Sequence, residues 1–252
     1  MTFTVHAPQK FSDLPGAILL DLDNTLYPYD PSHKAALDQV REKARRLLAI
    51  APSDFDVLFD RARKEIKARL GKTAASHSRL LYFQRLLELA GFKTQLLSAL
   101  DLEQTYWRSF LVHARLFDQA IDFLDDLRAK GVPVAIVTDL TAQIQFRKLV
   151  HFGLDHYIDY VVTSEEAGAD KPARAPFDMA LEKLGARPAP IWFIGDSPKA
   201  DLQGAAGVGS LVVVQKLAQN GTPADPLADL SFSAFSDLRG FLATLAHGDQ
   251  PR

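Results

Sequence analysis

Three short apolar runs, far apart in the chain, each break off at an aspartate or one residue before it. Ile18-Leu19-Leu20 stops at Asp21, Val134-Ala135-Ile136-Val137 stops at Thr138-Asp139, and Trp192-Phe193-Ile194 stops at Gly195-Asp196. Apolar runs this short, without polar alternation, are buried on both faces, as in the central strands of a parallel sheet. Open parallel sheets bind ligands just beyond the carboxyl ends of their strands. If these strands are neighbours, their terminal carboxylates converge on one spot.

The rest of the chain fits such a sheet. From Phe117 onward, helical and strand patterns alternate. Helices are expected at 119–130, 142–152, 177–184, 200–206 and 236–245, the last capped by Ser236. Strands are expected at 133–137, 160–163, 191–194 and 211–214. This alternation predicts an α/β fold, a Rossmann-like doubly wound parallel sheet.

Between the first strand and the rest, no strand pattern occurs. One helix is expected to start near Pro31, with Leu37, Val40, Ala44, Leu47 and Leu48 inward. A second is capped by Ser53, buries Phe55, Leu58, Phe59, Ala62 and Ile66, and ends at Gly71. A third covers 78–90, with Leu80, Phe83, Leu87 and Ala90 inward, and a fourth covers 95–112. The expected organisation is a core formed by residues 1–28 and 115–252, with an all-α insertion at 29–114. The stretch Gln219–Asp229, rich in Asn, Gly, Pro and Asp, reads as a surface loop.

Composition removes several alternatives. With no cysteine, disulfides, thiolate metal sites and cysteine nucleophiles are excluded. A net charge of −2 gives no general attraction for a nucleic acid polymer or an anionic membrane. No apolar run approaches the ~20 residues of a membrane span. The N-terminal stretch lacks the basic and apolar regions of a signal peptide. The expectation is a cytoplasmic enzyme.

Asp21 and Asp23 lie two apart on an extended segment and so face one side. Nearby carboxylates favour different protonation states unless a cation sits between them, which suits one to attack and the other to carry a proton. In Gly195-Asp196-Ser197-Pro198, Ser197 can cap a helix that opens with Pro198 and carries Asp201 in its first turn. Asp21, Asp196 and Asp201 make an oxygen-only cluster of the kind that suits Mg²⁺. Thr138 and Asp139 open a helix whose free N–H groups favour an anion. Lys171, before Pro172 in a loop, is placed to neutralise a phosphate oxygen. Each feature alone is ordinary; their order, each at a strand end, is not.

These motifs resemble those of the haloacid dehalogenase-like hydrolase superfamily, over nearly the whole chain. Asp21-Leu22-Asp23-Asn24-Thr25-Leu26-Tyr27 matches the first motif, Thr138 the second, Lys171 the third, and Gly195-Asp196-Ser197-Pro198-Lys199-Ala200-Asp201 the fourth. The insertion resembles the family's helical cap. The resemblance implies that Asp21 is the nucleophile and Asp23 the acid and base. It implies that Asp21, the Asp23 carbonyl and Asp196 hold Mg²⁺, with Asp201 supporting the metal directly or through water. Thr138 and Lys171 would bind the phosphoryl group. Asp139 departs from the Asn common in relatives, so its carboxylate is expected to point away and cap the helix, leaving its backbone N–H near the phosphate.

An aspartate at position 23 favours a phosphatase over a dehalogenase or a transport ATPase; a phosphomutase and a non-catalytic binding protein are the alternatives. The first motif is similar to that of pyrimidine 5′-nucleotidases and N-acylneuraminate 9-phosphatases. The implied partner is a small phosphorylated metabolite, a nucleoside monophosphate or sugar phosphate, acted on by a monomer or homodimer. His77, Arg79, Arg108 and His113 are candidate substrate contacts in the insertion, each weighed against a solvated helix face. Tyr27 and Tyr29 would line the pocket mouth or pack the hinge.

Overall fold

A computed structural model describes residues 3–185, 190–218 and 222–246. The chain divides into two compact units, one from Pro28 to Ala114 and the other built from the flanking segments, through Tyr27 and from Arg115.

The first unit is helical: α1 (Tyr29–Leu48), α2 (Pro52–Leu70), α3 (Arg79–Leu89) and α4 (Leu96–His113). α1 packs on α4, and α2 on α3. Pro31 sits inside the first turn of α1, where its missing N–H removes no hydrogen bond. The buried stripe of α1 is Ser32, Ala36, Val40 and Ala44; Leu47, expected inward, is 66% exposed because it lies off that stripe. The expected Ser53 cap is also corrected. Ala51 occupies the N-cap position of α2 without a side-chain bond, and Pro52 opens the helix. Ser78 does cap α3, accepting from Leu81 N at 3.3 Å. The inward residues of α3 are Tyr82, Phe83, Leu86 and Leu87, so Leu80 and Ala90 are only partly buried. Aromatic rings from α2, α3 and α4 fill the centre, including Phe59, Phe83 and Tyr106.

The second unit is a seven-stranded sheet in the order β1-β7-β6-β5-β2-β3-β4. Its strands are β1 (Phe3–Val5), β2 (Ala17–Leu20), β3 (Val134–Thr138), β4 (Tyr160–Thr163), β5 (Ile191–Gly195), β6 (Leu211–Lys216) and β7 (Leu230–Phe232). Its helices are α5 (Ala120–Ala129), α6 (Ala142–His151), α7 (Ser164–Ala167), α8 (Ala175–Leu184), α9 (Gln203–Val208) and α10 (Phe235–Ala246).

The sheet is parallel from β7 to β4, and β1 joins β7 antiparallel. The expected parallel sheet is thus present, with one short antiparallel strand added at its edge. One face packs Ala17, Leu19, Ala135, Val137, Phe193 and Val213 against Phe177, Ala180 and Leu184 of α8 and Ala205 of α9. The other face also has a cover, since Trp192 meets Phe11 edge-on at 5.3 Å and Phe11 meets Phe241 of α10 at 5.4 Å. Burial on both faces is why these strands read as unbroken apolar runs.

Two further expectations change. Ser236 lies inside α10, which starts at Phe235. The helix expected at 200–206 begins instead with a wide π turn, Pro198–Leu202. Of the loop expected at 219–229, residues 219–221 lie outside the described residues. Its end is buried: Asp229 accepts from Val213 N at 2.9 Å and pairs with Lys10 at 2.8 Å.

Candidate active site

The site forms where the strand order turns. Leu20 on β2 stands opposite Ile136 on β3 and Ile194 on β5, so all three strands end on one rim. Asp21 N donates to Ile194 O at 2.9 Å, carrying the pairing one residue past β2. The connections run from β2 to β3 on one side and reach β5 on the other, which makes this the switch point of the sheet.

Asp21 is buried. After it the chain turns through Asn24, at φ 64°, a left-handed conformation that asparagine tolerates. The turn brings Thr25 back so that its hydroxyl donates to Asp21 Oδ2 at 2.9 Å. Lys171 Nζ donates to Asp21 Oδ1 at 2.6 Å, Asp201 Oδ1 at 2.6 Å and the Val137 carbonyl at 2.9 Å. A buried ammonium with three acceptors is fully satisfied.

Asp201 is fixed from two sides. Its Oδ2 accepts from Asp196 N at 3.1 Å and Ser197 N at 3.0 Å. Ser197 caps the π turn, accepting from Ala200 N at 3.2 Å. The close approach of Asp201 dictates glycine at 195, because a Cβ there would lie 2.7 Å from Asp201 Cγ and Oδ2.

Asp21, Asp196 and Asp201 each offer a carboxylate oxygen within 4.8 Å of the others. Burial holds the Asp21 carboxyl well above the usual carboxylate range; Lys171 opposes this, and Asp201 and Asp196 reinforce it. Asp196 is pushed up to about 7, by burial first and then by Asp201. Burial pulls the Lys171 ammonium down, but Asp201, Asp21 and Asp139 overcome it and hold it above its ordinary value. Burial among like charges therefore disfavours the bare charge of these carboxylates.

Asp139 does not cap α6. Its Oδ1 accepts from Lys171 N at 2.9 Å, fixing the lysine loop against the end of β3. The α6 N-terminus is held instead from beyond β4. Glu165 accepts from Ala142 N at 2.8 Å, and Ser164 accepts from Leu140 N at 2.9 Å. Burial raises the Asp139 carboxyl, against the pull of Lys171. Thr138 is buried, and its hydroxyl accepts from Gln145 Nε2 at 2.6 Å.

Asp23 points to a partner that the sequence reading passed over. Lys148 of α6, with a side chain 0% exposed, donates to Asp23 Oδ1 at 2.7 Å and Oδ2 at 2.8 Å. The Tyr27 hydroxyl also donates to Asp23 Oδ1. Gln145 and Lys148 share the inward stripe of α6 with Ile144 and Leu149. Two polar residues on an apolar stripe were the available signal.

Within the helical unit, Arg79 is not on a solvated face. Its guanidinium lies 5.3, 5.2 and 5.7 Å from the ring centroids of Tyr82, Tyr106 and Trp107. It donates to the His77 carbonyl at 2.7 Å and to the Tyr29 hydroxyl. Tyr29 and Tyr106 hydroxyls are 3.2 Å apart. Arg108 and His113 are exposed.

Comparison with known proteins agrees with this geometry. Residues 15–209 match the profile of the haloacid dehalogenase-like hydrolases. The chain is 41% identical over 194 residues to a ribulose-1,5-bisphosphate 5-phosphatase of Halopiger xanaduensis, covering 77% of this chain and 81% of the relative. It is 29% identical over 197 residues to a glyceraldehyde 3-phosphate phosphatase of Methanopyrus kandleri, covering 78% and 82%. Among solved structures, a haloacid dehalogenase-type phosphatase from Thermococcus onnurineus superposes with a TM-score of 0.64 at 26% identity, covering 93% of this chain and 99% of that one. The chain belongs to the haloacid dehalogenase-like hydrolases. Within them it is a phosphatase. Among the described residues, no helix is long and apolar enough to cross a membrane.

Proposed function

We propose that the chain hydrolyses a small sugar phosphate in a Mg²⁺-dependent reaction through an aspartyl phosphate on Asp21. The observation that carries this reading is the cluster at the rim: Asp21, Asp196 and Asp201 within 4.8 Å, with Lys171 bonded to two of them at 2.6 Å.

The donor set fits a hard divalent cation, because it is all oxygen and its carboxylates already bind protons at raised values. Asp21, Asp196 and the Asp23 carbonyl would hold the ion. Asp201 Oδ2 already accepts two backbone N–H groups and its Oδ1 the Lys171 ammonium, so only Oδ1 keeps a lone pair to support the ion directly or through water. When bound, Mg²⁺ offsets the negative charge of the phosphoryl oxygens.

The residues then divide the work. An Asp21 oxygen attacks phosphorus as the P–O bond to the leaving group breaks, and Asp23 gives its proton to the leaving oxygen. Water next attacks the aspartyl phosphate, passes a proton to Asp23, and releases phosphate with Asp21 restored. Lys171 neutralises phosphoryl charge and orients Asp21. Thr138, held by Gln145, offers its hydroxyl to a phosphoryl oxygen, and Asp139 contributes by placing Lys171. In this reading the helical unit is the cap that selects the leaving group, supported by its insertion between β2 and β3.

A sugar phosphate is favoured over a nucleotide because the relatives described above are named for ribulose bisphosphate and glyceraldehyde 3-phosphate. The test is phosphate release from a panel including both sugars and nucleoside monophosphates, with Mg²⁺ and with chelator. Asp21→Asn should abolish release and the alkali- and hydroxylamine-labile phosphoprotein; a variant that still turned over would refute the nucleophile.

A further inference from the structure

Asp23 is held very unevenly. Its Oδ1 accepts from both the Tyr27 hydroxyl and Lys148 Nζ, while Oδ2 accepts from Lys148 alone. Each carboxylate oxygen has two lone pairs. Two donors saturate Oδ1, so Oδ2 keeps one lone pair for a reacting proton. The anchor is also one-sided in burial: the Lys148 side chain is wholly buried, and that of Asp23 is 23% exposed. A lysine enclosed in the protein with this carboxylate across from it is costly to place. Its stem lies among the inward residues of α6.

We propose that Lys148, with Tyr27, is a positioning residue for proton transfer: the two lock Asp23 in one rotamer and select Oδ2 as the oxygen that exchanges protons. The inference rests on Asp23 acting as the acid and base in the reading above. In the first half-reaction the Asp23 Oδ2–H bond breaks and the proton goes to the leaving oxygen, which keeps the electron pair of the broken P–O bond. In the second, Oδ2 takes a proton from the attacking water. A carboxylate free to rotate would offer either oxygen, at varying distance.

The leaving group provides the readout. An alkyl alkoxide cannot depart without a proton, whereas p-nitrophenolate can. The ratio of kcat/KM between an unactivated alkyl phosphate and p-nitrophenyl phosphate therefore reports proton delivery to the leaving oxygen. It covers only the steps through leaving-group departure. A purely structural loss lowers both esters alike and leaves the ratio unchanged.

Lys148→Met should lower kcat/KM on the alkyl ester by about 10²-fold or more, the usual worth of general acid help, and on the aryl ester by about ten-fold or less. Tyr27→Phe, nearly isosteric, should shift the ratio in the same direction by a smaller factor. It keeps the proposal open to refutation if Lys148→Met does not fold. An unchanged ratio in Tyr27→Phe and in folded Lys148→Met overturns the inference while leaving the phosphatase reading intact. A wild-type protein that hydrolyses neither ester with Mg²⁺ overturns that reading and this inference together.

Discussion

Replacing Lys171 with methionine keeps the aliphatic stem and removes the one ammonium that the carboxylate cluster shares. Lys171 lies 2.6 Å from both Asp21 and Asp201, and its side chain is 3% exposed. At an effective dielectric of about 20, Coulomb's law gives each such contact about 6 kcal/mol of attraction. Dehydrating the ammonium offsets much of this, so the pair energies are not the net effect. The dominant consequence is the buried carboxylates left without a counter-charge, and breaking a buried pair by removing one partner costs about 3–5 kcal/mol. For a chain of this size each kcal/mol moves the melting temperature by about 2–4 °C, so the metal-free variant should melt about 6–20 °C below wild type. Mg²⁺ supplies positive charge to the same carboxylates, so titrating it in should narrow that gap and bind the variant more tightly than wild type. Turnover should stay low at saturating Mg²⁺, because in the proposed reaction the ion does not take over the lysine's contact with the phosphoryl group. Calorimetry in chelator and then across a Mg²⁺ series decides the matter. A metal-free difference under about 2 °C, or a gap that widens with Mg²⁺, would refute the reasoning.

Two other predictions concern the same rim. Asp196 is pushed up to about 7 in the folded protein, against about 3.9 in an unfolded chain. The stability it confers is fully present below about pH 4 and is lost as pH rises through about 7. The metal-free wild type should therefore weaken relative to Asp196→Asn across that window, by up to about 4 kcal/mol, and Mg²⁺ should remove the loss; denaturant melts at pH 5 and pH 8 measure it. Gly195→Ala puts a Cβ 2.7 Å from Asp201. It should destabilise by about 1–3 kcal/mol and depress turnover, and a variant as stable and active as wild type would show that Asp201 is not locked there.

The sequence carried the centre of the fold better than its edges. Ala17–Leu20 and the strands after it were legible because double burial writes a continuous apolar run and the strand end writes an aspartate. β1 and β7 are three residues each, too short to show a period, and their pairing depends on a partner more than two hundred residues away. Ser53 misled because a good cap residue lies beside Pro52, and proline took the first helical position. Asp139 was expected to cap α6, but its carboxylate accepts from Lys171 N, a partner beyond β4 that left no local trace. Lys148 was missed because lysine on a helix ordinarily faces water. Only its place beside Ile144, Gln145 and Leu149 on one stripe marked it.

The insertion from Pro28 to Ala114 has a consequence for how the chain comes together. Its helices pair within a short span of sequence, α1 with α4 and α2 with α3, so this module can assemble as soon as it leaves the ribosome. β2 has no such opportunity. The strand that carries Asp21 stays without neighbours until β3 and then β5 have been synthesised. A greasy segment waiting that long is a target for chaperones and a hazard for aggregation, and the proposed nucleophile is among the last parts of the enzyme to find its setting.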